Sequence, residues 1–130
     1  MVDDLVGSNV DEYIMAPGKD VLLMLYWNNC QHCEALMPGY EHIAEVCEAA
    51  NEGKPAGAHD IVVGRIEGTR NDIGHPRIYA GSYPAVYLIR ADDKDHPIRV
   101  EDTREEGNIM DFLEENTWLG QPDYLDKEEL

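Results

Sequence analysis

The sequence predicts a single α/β domain, in which helices cover both faces of a central mixed sheet of four to five strands. Two observations support this fold class. Continuous apolar segments of strand length recur along the chain, and amphipathic segments of helix length lie between them. A chain of 130 residues can bury about two-thirds of its surface, which is enough for one self-sufficient core.

The first half of the chain predicts a buried strand followed by a long helix. Residues 21–27 are continuously apolar, which is typical of a central strand buried on both faces. Residues 5–6 and 10–15 predict a short strand and a short helix before it. A helix is expected over residues 31–51, with an internal proline that should kink it. Its apolar residues recur at helical spacing and form one stripe: Leu36, Tyr40, Ile43, Ala44, Cys47 and Ala50.

The second half predicts three further strands and a closing helix. The strands are expected over residues 61–66, 85–89 and, more weakly, 97–100. The polar segment 69–79 contains Gly74 and Pro76 and leaves room for at most a short helix. These elements complete the predicted order of strand, helix, strand, helix, strand, an optional short helix, two strands and helix.

The closing helix is expected to begin near Thr103. Thr103 and Glu106 have the T-x-x-E spacing of a capping box. Ile109, Phe112 and Leu113 then recur at helical spacing and should be buried.

The charge of the chain excludes several classes of partner. The net charge is −17, from 27 acidic and 10 basic residues, so phosphate backbones and anionic membrane surfaces would be repelled. The longest apolar run, residues 21–27, is far shorter than the roughly 20 residues that span a bilayer. We therefore expect neither nucleic-acid binding nor membrane insertion. The acidic excess is greatest near the end, which predicts a folded domain over 1–118 and a solvated acidic tail over 119–130.

A C-x-x-C motif lies where the first long strand should turn into the long helix. The motif is Cys30-Gln31-His32-Cys33. The N-terminus of a helix carries partial positive charge and unpaired N–H groups, which stabilise a thiolate and lower its pKa. Three residues of helix bring both sulfurs to one face, within reach of a disulfide. The position predicts redox chemistry at Cys30, with His32 stabilising its thiolate.

Other interpretations of the cysteines remain open at this point. Zinc would need a second ligand pair at suitable spacing, and His42 is unpaired. A purely structural disulfide is a further alternative, whereas haem attachment would need histidine where Glu34 stands. Cys47 lies on the apolar stripe of the helix and is expected to be a small core residue.

With these residues in view, the sequence resembles the thioredoxin-like catalytic domains of protein disulfide isomerase, over about residues 3–118. Residues 21–38 match the pattern of strand, C-G-H-C motif and helical proline. The resemblance implies a thioredoxin fold and an enzyme that oxidises and isomerises disulfides in client proteins. Cys30 would attack or be attacked, and Cys33 would release the client. No metal or organic cofactor is implied.

The resemblance also assigns residues outside the C-x-x-C motif. The segment Gly81-Ser82-Tyr83-Pro84-Ala85 is similar to the one that holds the family's cis-proline. Pro84 would then shape the peptide groove, and Tyr83 would offer its backbone to substrate. Arg104 matches an arginine that promotes deprotonation of the second cysteine.

At several positions the sequence departs from the family pattern. Met24 stands where the family has a buried glutamate that accepts the proton of the second cysteine, and Arg65 replaces the accompanying lysine. Asn29 stands where a tryptophan usually precedes the first cysteine, and Gln31 replaces a glycine. These departures predict slower resolution of mixed disulfides. They also motivate an alternative function as a client-binding or adaptor module, and a thioredoxin-like reductase is a third possibility.

The last four residues point to a cellular location. Lys127-Glu128-Glu129-Leu130 is similar to the K-D-E-L signal that the endoplasmic reticulum retrieval receptor reads. We therefore expect a protein of the endoplasmic reticulum lumen whose partners are that receptor, cysteine-containing clients, and glutathione or an oxidase. Since residues 1–4 do not resemble a signal peptide, the sequence is expected to be the C-terminal piece of a longer protein.

Overall fold

A five-stranded mixed sheet forms the centre of the molecule. The computed structural model describes residues 2–120. The strands are β1 (Asp3–Leu5), β2 (Lys19–Tyr26), β3 (Asp60–Glu67), β4 (Ala85–Arg90) and β5 (Asp93–Arg99). Their order across the sheet is β1-β3-β2-β4-β5. β3 runs parallel to β1 and β2, whereas β4 is antiparallel to β2 and β5. The predicted α/β class and mixed sheet are confirmed.

Helices cover the two faces of this sheet, as the sequence predicted. The helices are α1 (Val10–Ile14), α2 (Gln31–Glu52) and α3 (Glu106–Asn116), followed by a short 3-10 turn over Trp118–Gly120. One hydrophobic core joins α2 and α3 to the first face. The other core joins α1 to the opposite face. The central strand β2 contributes to both, because its side chains alternate between the faces.

Helix α2 is fastened to the sheet by a buried tyrosine. The Tyr40 hydroxyl lies 2.7 Å from the carbonyl oxygen of Gly64 in β3 and 3.2 Å from that of Leu22 in β2. The ring is fully buried. Because α2 runs through Pro38 as one helix, this contact sets the height of its N-terminal turn relative to the end of β2.

The predicted start of the closing helix is wrong. α3 begins at Glu106 with Glu105 as its N-cap, and no side chain caps it. The proposed capping box from Thr103 therefore does not form. Asp102 instead accepts the backbone N–H of Arg104, an alternative local hydrogen bond that holds residues 102–104 outside the helix. Ile109 and Leu113 are buried as predicted.

The last strand also differs from expectation. β5 covers Asp93–Arg99 and so begins before residue 97, where the strand was expected to start. An edge strand tolerates both Pro97 and the irregular pairing found between Leu88 and Arg90. Within the described chain, residues 69–79 contain no helix.

The packed structure continues through Gly120, past the predicted boundary at 118, because Trp118 and Leu119 are buried in the core of the α2 and α3 face. Most of the predicted acidic tail, with the ending Lys127-Glu128-Glu129-Leu130, lies outside the described residues. No helix among residues 2–120 is long and apolar enough to cross a membrane.

Candidate active site

The two cysteines of the C-x-x-C motif form a disulfide at the start of α2. Cys30 is the N-cap residue, with extended backbone, and Cys33 lies in the first turn. Their Cα atoms are 5.2 Å apart. The Cys30 Sγ also accepts the backbone N–H of Cys33 at 3.1 Å. The sulfur of Cys30 therefore occupies the place of a helix cap, where unpaired N–H groups favour negative charge.

Access to the disulfide is unequal. Cys30 retains 8% exposure, whereas Cys33 retains 2%. A turn closed by the hydrogen bond from the Cys30 N–H to the Trp27 carbonyl, at 3.1 Å, carries the chain from β2 into the helix. The indole of Trp27 beside it is 42% exposed. The geometry makes Cys30 the sulfur that an incoming thiolate reaches more easily.

His32 is exposed on the first turn of α2, between the two cysteines. Its position one residue before Cys33 keeps the imidazole outside the core. A side chain on the first turn of a helix can approach the N-cap sulfur without being buried.

A cis peptide bond precedes Pro84, as the resemblance implied. Tyr83 is half-buried, and its ring lies against Gly68, which follows β3. A Cβ at position 68 would lie 3.0 Å from Tyr83 Cε1 and 3.1 Å from its hydroxyl oxygen. Gly68 therefore provides the space in which the Tyr83 ring packs.

Two side chains, from the neighbouring strands β4 and β5, hold the loop before Pro84. Arg99 in β5 donates to the carbonyls of Tyr79 and Ala80, at 3.2 and 2.9 Å. The Tyr87 hydroxyl in β4 donates to the same Tyr79 carbonyl at 2.7 Å. Tyr87 and Arg99 are cross-strand partners, and the guanidinium lies 5.5 Å from the tyrosine ring centre. The hydrogen bonds from Tyr87 and Arg99 thus fix the backbone segment that leads to the cis-proline.

Arg104 is paired with a neighbouring carboxylate. Its Nε and Nη2 donate to the two oxygens of Asp102, at 3.0 and 2.8 Å. The Arg104 side chain is 81% exposed. The hydrogen bonds from Arg104 hold the pKa of Asp102 down, at about 2, and Asp102 in turn raises the pKa of Arg104.

Met24 is fully buried in β2, directly opposite Arg65 in β3. Arg65 pairs with Asp4 of β1 on its other side. Its Nη1 lies 3.6 Å from the Met37 Sδ in α2, and its guanidinium lies 5.7 Å from the centre of the Tyr26 ring. Arg65 thus takes its carboxylate partner, Asp4, from the exposed edge strand β1. On its inner side, the buried position opposite Arg65 is occupied by the apolar side chain of Met24.

The third cysteine is separate from this chemistry. Cys47 is free and fully buried, and burial raises the pKa of its thiol to about 12. Its predicted place in the core is confirmed. Among residues 2–120, no cluster of three or more histidine, cysteine or acidic side chains is arranged to hold a metal ion.

Comparison with known proteins identifies the family to which this arrangement belongs. The family model for thioredoxin matches residues 1–115. The chain belongs to the thioredoxin family. The sequence resemblance and the predicted fold are thereby confirmed.

Sequence relatives of this thioredoxin domain include protein disulfide isomerases. Protein disulfide-isomerase A4 of Rattus norvegicus is 31% identical over 113 residues, covering 86% of this chain and 16% of the relative. Protein disulfide-isomerase of Saccharomyces cerevisiae is 30% identical over 115 residues, covering 88% and 20%. The thioredoxin domain thus spans a fifth or less of the length of these curated relatives.

Solved structures confirm the fold. The first thioredoxin domain of mouse protein disulfide-isomerase A4 superimposes with a TM-score of 0.66 at 23% identity, covering 92% of this chain and 76% of that one. Human ERp44 superimposes with a TM-score of 0.68 at 18% identity, covering 88% and 29%.

Sequence reasoning missed several residues that shape the site of this thioredoxin domain. Gly68, Tyr87 and Arg99 act through neighbours that lie 8 to 20 positions away in sequence, so no local pattern marks them. Arg99 lies opposite Tyr87 only through the register of β4 and β5, which alternation along one strand does not reveal.

Proposed function

We propose that this chain is a thiol–disulfide oxidoreductase and isomerase, which forms and rearranges disulfides in client proteins through Cys30 and Cys33. The observation that carries the proposal is the disulfide at the N-terminus of α2, with the more exposed of the two cysteines at the cap position. Similarity to protein disulfide isomerases over most of the chain supports it.

Oxidation of a client begins with attack on the disulfide. A client thiolate attacks the Cys30 Sγ, a mixed disulfide forms, and the Cys33 thiolate leaves. A second client thiolate then attacks the client sulfur of that bond, and the Cys30 thiolate leaves. The client gains a disulfide, while the domain keeps both electrons as a dithiol. A disulfide oxidant, either glutathione disulfide or an oxidase, must then reoxidise the pair.

Isomerisation uses the reduced form. The Cys30 thiolate attacks a client disulfide and releases one client thiolate, which can then attack elsewhere in the client. If the mixed disulfide persists, the Cys33 thiolate attacks the Cys30 Sγ and the client leaves as a thiolate. Stabilising the Cys30 thiolate at the helix N-terminus makes Cys30 a good leaving group and favours the reduced form.

Four further residues receive roles in this proposal. His32 stabilises the Cys30 thiolate from the first turn of α2, and Arg104 promotes deprotonation of Cys33. Tyr83 and Pro84 form the part of the groove that receives the client backbone. The packing of Tyr83 on Gly68 supports the last assignment.

We infer that the protein acts in the lumen of the endoplasmic reticulum. Its partners would be unfolded, cysteine-containing clients, glutathione or an oxidase, and the receptor that reads K-D-E-L signals. The ending Lys127-Glu128-Glu129-Leu130 supports this location. A retention assay tests it, because exchanging Leu130 for alanine should release the protein into the medium of secreting cells.

The reaction itself is tested by cysteine variants. Reduction of insulin and reactivation of scrambled ribonuclease should be lost in Cys30→Ser. Cys33→Ser should accumulate mixed disulfides, because the displacing thiolate is missing. Cys47→Ala is the matched control and should retain activity, since Cys47 is buried and forms no disulfide with Cys30 or Cys33. Full activity of Cys30→Ser would refute the proposal.

One observation favours a second candidate function, a client-binding or adaptor module with weak redox activity. Met24 fills the interior position opposite Arg65, where the family has a proton-accepting carboxylate. Without that acceptor, exchange at Cys33 would be slow while client binding remained. Client capture by the intact dithiol without turnover would select the adaptor.

A further inference from the structure

A polar cavity of about 350 Å³ lies at the end of the sheet opposite the disulfide. Its walls include Asp20 near the start of β2, Arg90 at the end of β4, His59, and Trp118 after α3. β2 carries the chain from this cavity to the disulfide, and six residues of strand span about 20 Å. The cavity is therefore separate from the candidate active site.

Arg90 brings an unpaired positive charge to this cavity. Its Nε is buried and has no hydrogen-bond partner within residues 2–120. Nor does any carboxylate in that part of the chain form an ion pair with its guanidinium. Buried polar atoms are almost always hydrogen-bonded in folded proteins, and a guanidinium presents its N–H groups in a plane that suits a carboxylate.

The register of the sheet places Asp20 opposite Arg90, where the two side chains could form an ion pair. One step beyond the Val21–Ile89 pair of β2 and β4, the two side chains are cross-strand neighbours, the placement in which opposite charges attract. The Asp20 carboxylate instead accepts the backbone N–H of Ala91 at 2.7 Å through Oδ1. Its Oδ2 has no hydrogen-bond partner in the described chain. The cavity thus holds a separated anion and cation.

A small zwitterion satisfies both charges at once. A ligand with only a negative charge would be repelled by Asp20, by the neighbouring Asp92 and by the overall charge of −17. A ligand with only a positive charge would be repelled by Arg90. A ligand with a carboxylate for Arg90 and an ammonium group for Asp20 carries no net charge. Burial raises the pKa of Asp20, a shift that a bound ammonium would oppose.

We propose that this cavity binds a free amino acid or another small zwitterion, through Arg90 and Asp20, independently of the disulfide. The volume lies within the range of small-molecule sites. The Trp118 indole N–H, which donates to the His59 carbonyl at 2.8 Å, fixes one wall. The inference does not depend on the redox proposal, since no residue of the C-x-x-C motif contributes to the cavity.

The test is a nuclear magnetic resonance titration of the full chain with three matched probes. L-glutamine carries both charges, glutaramate lacks the ammonium group, and 4-aminobutanamide lacks the carboxylate. L-glutamine should shift the Ala91 amide and Trp118 indole resonances saturably, with a dissociation constant of about 1 mM. Each single-charge probe should bind at least about tenfold more weakly, because one charge-assisted hydrogen bond is lost.

Two variants examine the residues, and a third serves as the control. Arg90→Met and Asp20→Asn should each weaken L-glutamine binding at least about tenfold. Asp20→Asn retains an oxygen for the Ala91 N–H, which protects the fold. Arg70→Met, at an exposed arginine outside the cavity, should bind normally. Insulin reduction should be unchanged in all three variants, so a failed redox proposal would leave this result intact.

The inference is overturned by any of three results. One is the absence of saturable shifts with L-glutamine up to about 50 mM, where a millimolar site would be nearly full. Another is equal binding of glutaramate or 4-aminobutanamide. The third is unchanged L-glutamine binding in a folded Asp20→Asn protein.

Discussion

The Asp102 carboxylate accepts two parallel hydrogen bonds from the guanidinium of Arg104, of 3.0 and 2.8 Å. The same carboxylate accepts the backbone N–H of Arg104 at 3.1 Å. Exposed ion pairs contribute little to stability, but this one fixes where the guanidinium points. In the disulfide form, Arg104 is therefore restrained by a residue two positions before it, on the loop between β5 and α3.

Exchanging Asp102 for asparagine should free Arg104 and accelerate the displacement step performed by Cys33. We expect an increase of up to about fivefold, the most that breaking an exposed pair can give. The measurement is the single-turnover release of a fluorescent client from the mixed disulfide. Asp93→Asn, which breaks the exposed pair with His96, is the matched control and should release at the normal rate. A slower release in Asp102→Asn would contradict this role.

The pKa of Asp102 should report whether its ion pair with Arg104 is formed. Its pKa is held at about 2 by the hydrogen bonds from Arg104, below the usual value of about 3.9 for aspartate. A lowered folded-state pKa stabilises the fold above the unfolded value, so the contribution is complete above about pH 4 and lost as the pH falls toward 2. Carboxyl resonances followed by nuclear magnetic resonance measure this pKa. In Arg104→Gln it should return toward 3.9; no change would mean that Arg104 is not the cause.

Restoring a carboxylate at position 24 should speed turnover. Met24→Glu places an acid opposite Arg65, at the position that the family resemblance assigns to the proton acceptor of the second cysteine. We expect faster insulin reduction at neutral pH, together with a loss of about 1–3 kcal/mol in the free energy of unfolding from burying a polar group. Met24→Gln is the control, with the same shape and no proton acceptor. Equal rates in the two variants would show that proton acceptance at this position does not limit the reaction.

Gly68→Ala should weaken client binding by moving Tyr83. The added methyl group would lie 3.0 Å from the Tyr83 ring, so the ring must shift and disturb the groove beside Pro84. We expect KM for a peptide client to rise about threefold to tenfold, with a smaller change in kcat. Gly107→Ala, where the added methyl group meets open space in α3, should leave KM unchanged. A Gly68→Ala protein with normal KM would place client binding away from Tyr83.

Patterns that are local in sequence predicted much of this fold. The apolar run of β2, the stripe of α2 and the C-x-x-C motif between them were sufficient to place Cys30 at a helix N-terminus. Burial of Cys47 followed from the same stripe. These features depend on periodicity, which survives without knowledge of the tertiary structure.

Features that depend on strand register could not be predicted. The separation of Asp20 from Arg90, and the anchoring of the Tyr79 carbonyl by Arg99, arise from pairing between strands. The capping-box pattern at Thr103 failed for a different reason. Asp102 offered the backbone a competing hydrogen bond, and a motif alone does not reveal which of two local interactions prevails.

We infer that the helix N-terminus stabilises the Cys30 thiolate and so makes the disulfide an oxidant. Titration against glutathione determines the pKa of Cys30 and the potential of the Cys30–Cys33 pair together. We expect a pKa for Cys30 below the ordinary value of about 8.5, and a potential nearer to about −180 mV than to about −270 mV. A pKa at or above the ordinary value, or a potential as reducing as about −270 mV, would contradict it.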